Sequence, residues 1–177
     1  VYGGLMAALF EETGRYIAMR FLVKPLDFPN AFMYGAGHGG VEAMLLCGVA
    51  SISNIASAVM INSGTMSAQL ATLDAKKAAD TAAALSALWT TPSLTFFAGG
   101  VERIIAVVLH LSLSILVFQS IRKKSQKDLL NAYLFHFVID SLSVLLSAVA
   151  SVWVVELVTA LVTGGAVLMA RYACMEE

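Results

Sequence analysis

LFEETGRYI, residues Leu9 to Ile17, sets two glutamates and an arginine inside a run that otherwise reads as a membrane-crossing helix. Whether that run is a span decides the fold. The whole chain favours a span: 59% of its 177 residues are hydrophobic and only 13% are charged, where a soluble domain carries roughly a quarter. Five apolar runs each supply the roughly 20 residues that a bilayer crossing needs. They extend from about Tyr2 to Val23, Ala31 to Ile61, Ser93 to Ile121, Leu129 to Ser151 and Trp153 to Tyr172. The expected fold is all-α: a polytopic membrane helical bundle of about five transmembrane helices, forming one integral-membrane domain over 1–177. Pro25 and Pro29 in KPLDFPN separate the first two spans, because proline cannot continue a helix. The alanine-rich stretch 63–92 is mildly amphipathic and reads as a surface helix or an ordered loop. The chain opens at Val1 inside an apolar stretch, so we expect more chain before it, up to a further helix. Cys47 and Cys174 make neither a disulfide framework nor a metal motif, and Cys47 reads as a packing residue.

Charge placement orients the spans. Arg20, Lys24, Arg122, Lys123, Lys124, Lys127 and Arg171 all fall at one set of ends. At the other, Lys76 and Lys77 are offset by Asp74 and Asp80. By the positive-inside rule, the basic loop 122–127 is cytoplasmic and 63–92 external. The net charge of −1 gives no indication of a nucleic-acid partner.

Inside the spans remain Glu11, Glu12, Arg15, His38, Glu42, Glu102, Arg103, His110, His136, Asp140 and Glu156, including every histidine of the chain. A charged side chain at the centre of a span costs about 2.5–3.5 kcal/mol, so these groups must satisfy one another. Glu11 and Arg15, His38 and Glu42, and His136 and Asp140 are each four residues apart, on one helical face. Counted from the basic ends at about 1.5 Å per residue, Glu11 lies at roughly 20 Å, Glu42 and Asp140 at roughly 18 Å, and His110 at roughly 16 Å. His38 and His136 lie at roughly 12 Å, and Glu102 and Arg103 farther out at roughly 27 Å. Four helices thus present acid and imidazole groups to a common layer. Gly35, Gly37, Gly39 and Gly40 surround His38, and suit either tight helix packing or close approach of water or substrate.

A carboxylate beside imidazoles, away from bulk water, suits activation of a water molecule. Histidines can bind that water, donate to an oxyanion and protonate a leaving amine, and Asp140 can fix the tautomer of His136. Hydrolysis of a peptide bond in or near the membrane follows as the expected reaction. Glu102–Arg103 and Glu156 read as structural groups, and His110 as either an interior hydrogen-bonding residue or a member of the site.

EETGR, YGAGHGGVEA and HFVID, in that order, resemble the YhfC family of bacterial intramembrane proteases. That family is in turn similar to the type II CAAX prenyl protease and PrsW group. The shared elements are Glu11-Glu12…Arg15, Tyr34…His38 and His136…Asp140, within a similarity from about Leu5 to Leu145. The resemblance implies an intramembrane endopeptidase of the bacterial cytoplasmic membrane, acting on membrane-embedded or membrane-anchored peptides or proteins. It makes Glu11 the base on water and Glu12 its support. His38 and His136 would orient water and stabilise the oxyanion, alongside Arg15 and Asp140. Tyr34, Glu42, His110, Glu102 and Arg103 would support them. A metal-free glutamate mechanism is favoured here. Zinc, where bound, would draw on His38, His110, His136 and Glu11. The alternatives are a proton- or cation-coupled transporter or channel subunit, and an inactive membrane scaffold.

Overall fold

The structure, a computed structural model, describes residues 1–175. Helix α1 spans Tyr2–Phe21 and α2 spans Phe28–Ala43; a π-helical turn, Met44–Gly48, carries α2 directly into α3, Val49–Asn62. Two shorter helices follow, α4 (Thr65–Leu70) and α5 (Ala75–Thr90). Three long ones complete the chain: α6 (Ser93–Lys123), α7 (Gln126–Ser147) and α8 (Val152–Met175). No strand occurs among the described residues, so the fold is an all-α membrane helical bundle.

Local chemistry sets the boundaries. Asp27 caps α2 by accepting the Asn30 N–H at 2.9 Å, and Pro29 sits in the first turn, where its missing N–H is harmless. The second span therefore starts at Phe28 rather than Ala31. Ser125 caps α7 in the same way, while Lys124 takes the left-handed conformation that ends α6.

The long rods α1, α2–α3, α6, α7 and α8 lie where the five apolar runs were read. Four are long and apolar enough to cross a membrane: Phe28–Asn62, Ser93–Lys123, Gln126–Ser147 and Val152–Met175. The 20 residues of α1 give it about 30 Å of length, but Glu11, Glu12, Arg15 and Arg20 lower its apolarity. It tucks Glu12 and Arg15 against α7 and α6, and leaves Arg20 exposed.

Helix α6 is the axis, packing on α1, α2, α7 and α8. Leu113, Leu116, Val117 and Phe118 are buried there against Met19, Ala132 and Ala166. On the rim, α3 has no buried residue, and Ile52, Ile55 and Val59 face outward, as suits contact with lipid. Cys47 lies part-buried in the π-helical turn.

Small residues set the spacing between helices. A Cβ on Gly35 would lie 2.9 Å from Leu111 Cα, and one on Gly39 would lie 3.0 Å from Val107 Cα. With buried Ala31, these form a stripe at four-residue intervals that brings α2 backbone-to-backbone against α6. Gly4 does the same for α1, where a Cβ would meet Ser141 Oγ at 2.7 Å. Gly37 and Gly40 face open space. Of the two uses considered for these glycines, tight packing fits Gly35 and Gly39.

Gly35→Ala is expected to destabilise the bundle by about 1–3 kcal/mol through overpacking. Gly37→Ala should be neutral or slightly stabilising, because alanine favours the helix. Equilibrium unfolding of both variants in mixed micelles would check the pair.

Candidate functional site

Adjacent helical residues point about 100° apart, and in α1 this separates the two glutamates. Glu12 turns into the bundle and is 0% exposed, whereas the Glu11 side chain is 34% exposed. Arg15, also 0% exposed, places Nη2 3.5 Å from Glu12 Oε1. The arginine thus pairs with the glutamate three residues before it and not with Glu11, a choice that spacing along the helix left open.

Arg15 also reaches α6. Its Nη2 donates to His110 Nδ1 at 2.8 Å and its Nη1 to the His110 carbonyl at 3.3 Å. Glu12 reaches α7, where its Oε1 lies 2.7 Å from His136 Nδ1. The group bonded to His136 Nδ1 is therefore Glu12. Asp140, expected to orient that ring, instead places Oδ2 3.6 Å from the other nitrogen, Nε2.

A second chain of contacts runs from α2. His38 Nε2 lies 3.1 Å from Glu11 Oε2, and His136 Nε2 lies 3.7 Å from the same oxygen. Glu42 Oε2 is 2.5 Å from His110 Nε2, and Glu42 Oε1 accepts from Arg103 Nη1 at 3.0 Å. Arg103 also binds Glu102. The Glu102–Arg103 pair was expected above the layer, yet it joins it, because a guanidinium reaches well beyond its own backbone position. The rings of His38 and His110 stack at 4.6 Å between centroids, with His136 edge-on to His110 at 5.6 Å. Tyr34 lies edge-on to His38. The candidate residues of α1, α2, α6 and α7 thus form one connected cluster.

Between them lies a cavity of about 90 Å³, bordered by Glu11, Glu42, Arg103, His110, His136 and Asp140, with room for a few waters. Ser143 and Thr159 also border it. Sequence reasoning missed both, since single hydroxyls on membrane helices form no pattern. Glu156 is buried on α8, and its Oε2 has no hydrogen-bond partner among the described residues.

Two properties bear on cation binding. One ligand atom each from Glu11, His38, Glu42 and His110 lie within 4.8 Å of one another. In addition, the carboxyls of Glu11, Glu12, Glu42, Glu102 and Asp140 outnumber the guanidinium groups of Arg15 and Arg103. The cluster therefore carries excess negative charge unless protons or a cation join it.

Arg15→Met leaves Glu12 buried without its cation, and we expect a loss of about 3–5 kcal/mol. Arg103→Met, beside partly exposed partners, should lose less. Chemical unfolding of the two variants side by side would check the ranking.

The family model described as YhfC intramembrane metalloprotease matches residues 1–159. The chain is 42% identical over 137 residues to a Bacillus subtilis (strain 168) protein described as "Uncharacterized membrane protein YhfC". The match covers 77% of this chain and 52% of that relative, so the chain spans about half the relative's length. No solved structure matches. Its apolar helices and its relatives mark it as an integral membrane protein, and the chain belongs to the YhfC family.

Proposed function

We propose that this chain carries the catalytic centre of an intramembrane protease, in which water in the cavity attacks the carbonyl of a membrane-embedded or membrane-anchored peptide. Glu11 is the observation that carries the proposal. It is a part-exposed carboxylate inside the bundle, flanked by His38 and His136, while its neighbour Glu12 is sealed away. The family's description also favours proteolysis over transport or a scaffold.

That description includes a metal, and the residues suit one. A cation would offset the carboxylate excess. Glu11 and His38, which are among the four grouped residues, would hold it together with His136, whose Nε2 lies 3.7 Å from Glu11 Oε2; two imidazoles and a carboxylate leave a position open. Glu12 would stand behind His136, the usual second partner of a ligating imidazole. Bound zinc supplies an acidified water and polarises the substrate carbonyl. Asp140 Oδ2, on a side chain 37% exposed at the cavity, takes a proton from the attacking water and returns it to the leaving amide nitrogen. A second reading rests on the 3.1 Å contact between His38 and Glu11. This is hydrogen-bond distance, and it suits a metal-free mechanism in which Glu11 itself is the base. The basic ends face the cytoplasm of a bacterial cell in either reading; Arg20 and Lys124 border one cleft, which supports placing them on the same side.

Turnover of fluorogenic membrane-anchored peptides by the purified protein tests the proposal. Glu11→Ala and Asp140→Asn are each expected to lower it by about 10²–10⁴-fold. A chelator should abolish it and zinc restore it. Activity that survives the chelator but not Glu11→Ala would select the metal-free base. Activity unchanged in both variants would overturn the site and leave the cluster a structural one.

A further inference from the structure

We infer that the buried Glu12–Arg15 pair imposes opposite tautomers on two facing histidines, so that His136 offers a lone pair to the cavity whereas His110 offers an N–H and takes no part in metal binding. In its zinc arm, the inference rests on the metal-binding reading above. Distance alone groups His110 with Glu11, His38 and Glu42 as cation ligands; the hydrogen bonds argue otherwise.

A neutral imidazole has one N–H and one lone pair, and a guanidinium can only donate. Arg15 Nη2, 2.8 Å from His110 Nδ1, therefore occupies the Nδ1 lone pair. The ring proton must sit on Nε2, where Glu42 Oε2 accepts it at 2.5 Å. To bind a metal through Nε2, His110 would need its proton on Nδ1, facing an arginine donor. Arg15 cannot easily move aside. It is wholly buried, its Nη1 is bonded to the His110 carbonyl, and its departure would leave Glu12 without a cation.

The contact with Glu42 points the same way. It is a hydrogen bond to Nε2, and the proton it needs occupies the lone-pair position through which that nitrogen would bind a metal. The ring position is itself fixed, since Gly39 lets α2 close on it: a Cβ there would lie 3.3 Å from His110 Cδ2.

His136 is arranged in reverse. A carboxylate, Glu12, faces its Nδ1 at 2.7 Å, so in the neutral ring the proton sits on Nδ1. The Nε2 lone pair then faces the cavity, with Glu11 Oε2 at 3.7 Å and Asp140 Oδ2 at 3.6 Å. His110 is thus a positioning residue: its N–H, with Arg103, holds Glu42 on the wall of the cavity.

The chain's three histidines make the test direct. Full-length protein labelled with ¹⁵N-histidine, in nanodiscs, gives three sets of ring signals. His110→Gln assigns one set by its absence, and glutamine can still accept from Arg15 and donate to Glu42. In metal-free protein, His110 should show the Nε2–H tautomer and His136 the Nδ1–H tautomer. The opposite result for His110 would overturn the inference. Added zinc should shift His38 and His136 and leave His110 unmoved; a zinc shift at His110 would also overturn it. If zinc moves none of the three, metal binding fails, and the tautomers are judged on the metal-free spectrum alone. By zinc titration, His38→Gln should weaken binding by on the order of 100-fold or more, beyond the usual effect of a residue behind a ligand. His110→Gln should weaken it by less than about tenfold.

Discussion

A guanidinium that is 0% exposed inside a helical bundle is held there by its partners or not at all. The effective penalty for burying one ion is several kcal/mol, and it is offset only by good geometry and further hydrogen bonds. Arg15 finds these on two sides, the Glu12 carboxylate on its own helix and the His110 ring and carbonyl on α6. Glu12 in turn engages His136 on α7. Three helices are thus registered against one another by a single ion pair, and both histidine rings are oriented by it. With Glu12 occupied in this way, Glu11 is the member of the double glutamate left part-exposed at the cavity.

The fourth helix joins by packing as well as by charge. Ala31, Gly35 and Gly39 give α2 a flat face, and the close approach to α6 stacks His38 on His110. In lipid, where apolar side chains gain little from meeting one another, such backbone contact is a principal means of association. It also delivers Glu42 to His110 and Arg103, so the polar layer and the glycine stripe depend on each other.

Much of this could be read from the sequence, for physical reasons. Apolar length identified the long helices, and the cost of burying charge identified the residues that had to meet. The partners were harder to foresee. Residues three and four apart are both neighbours on a helix, so spacing could not decide between Glu11 and Glu12 as the partner of Arg15. Similarly, Asp140 was the neighbour of His136 in the sequence, while Glu12, from another helix, bonds its Nδ1. Arg103 lay above the layer when depth was counted along the backbone, a count that omits the reach of a long side chain. Helix termini shifted where a cap such as Asp27 overrode the hydrophobic pattern.

The central claim is that burial divides the labour of two adjacent glutamates, one sealed into the framework and one facing water. Thiol labelling tests it most directly. In protein with Cys47 and Cys174 replaced by serine, Glu11→Cys and Glu12→Cys would be compared for reaction with a water-soluble maleimide, with circular dichroism confirming that both retain the helical fold. Glu11→Cys should react in the folded protein, and Glu12→Cys only after unfolding. Equal reaction at both positions, or none at Glu11→Cys, would contradict the account.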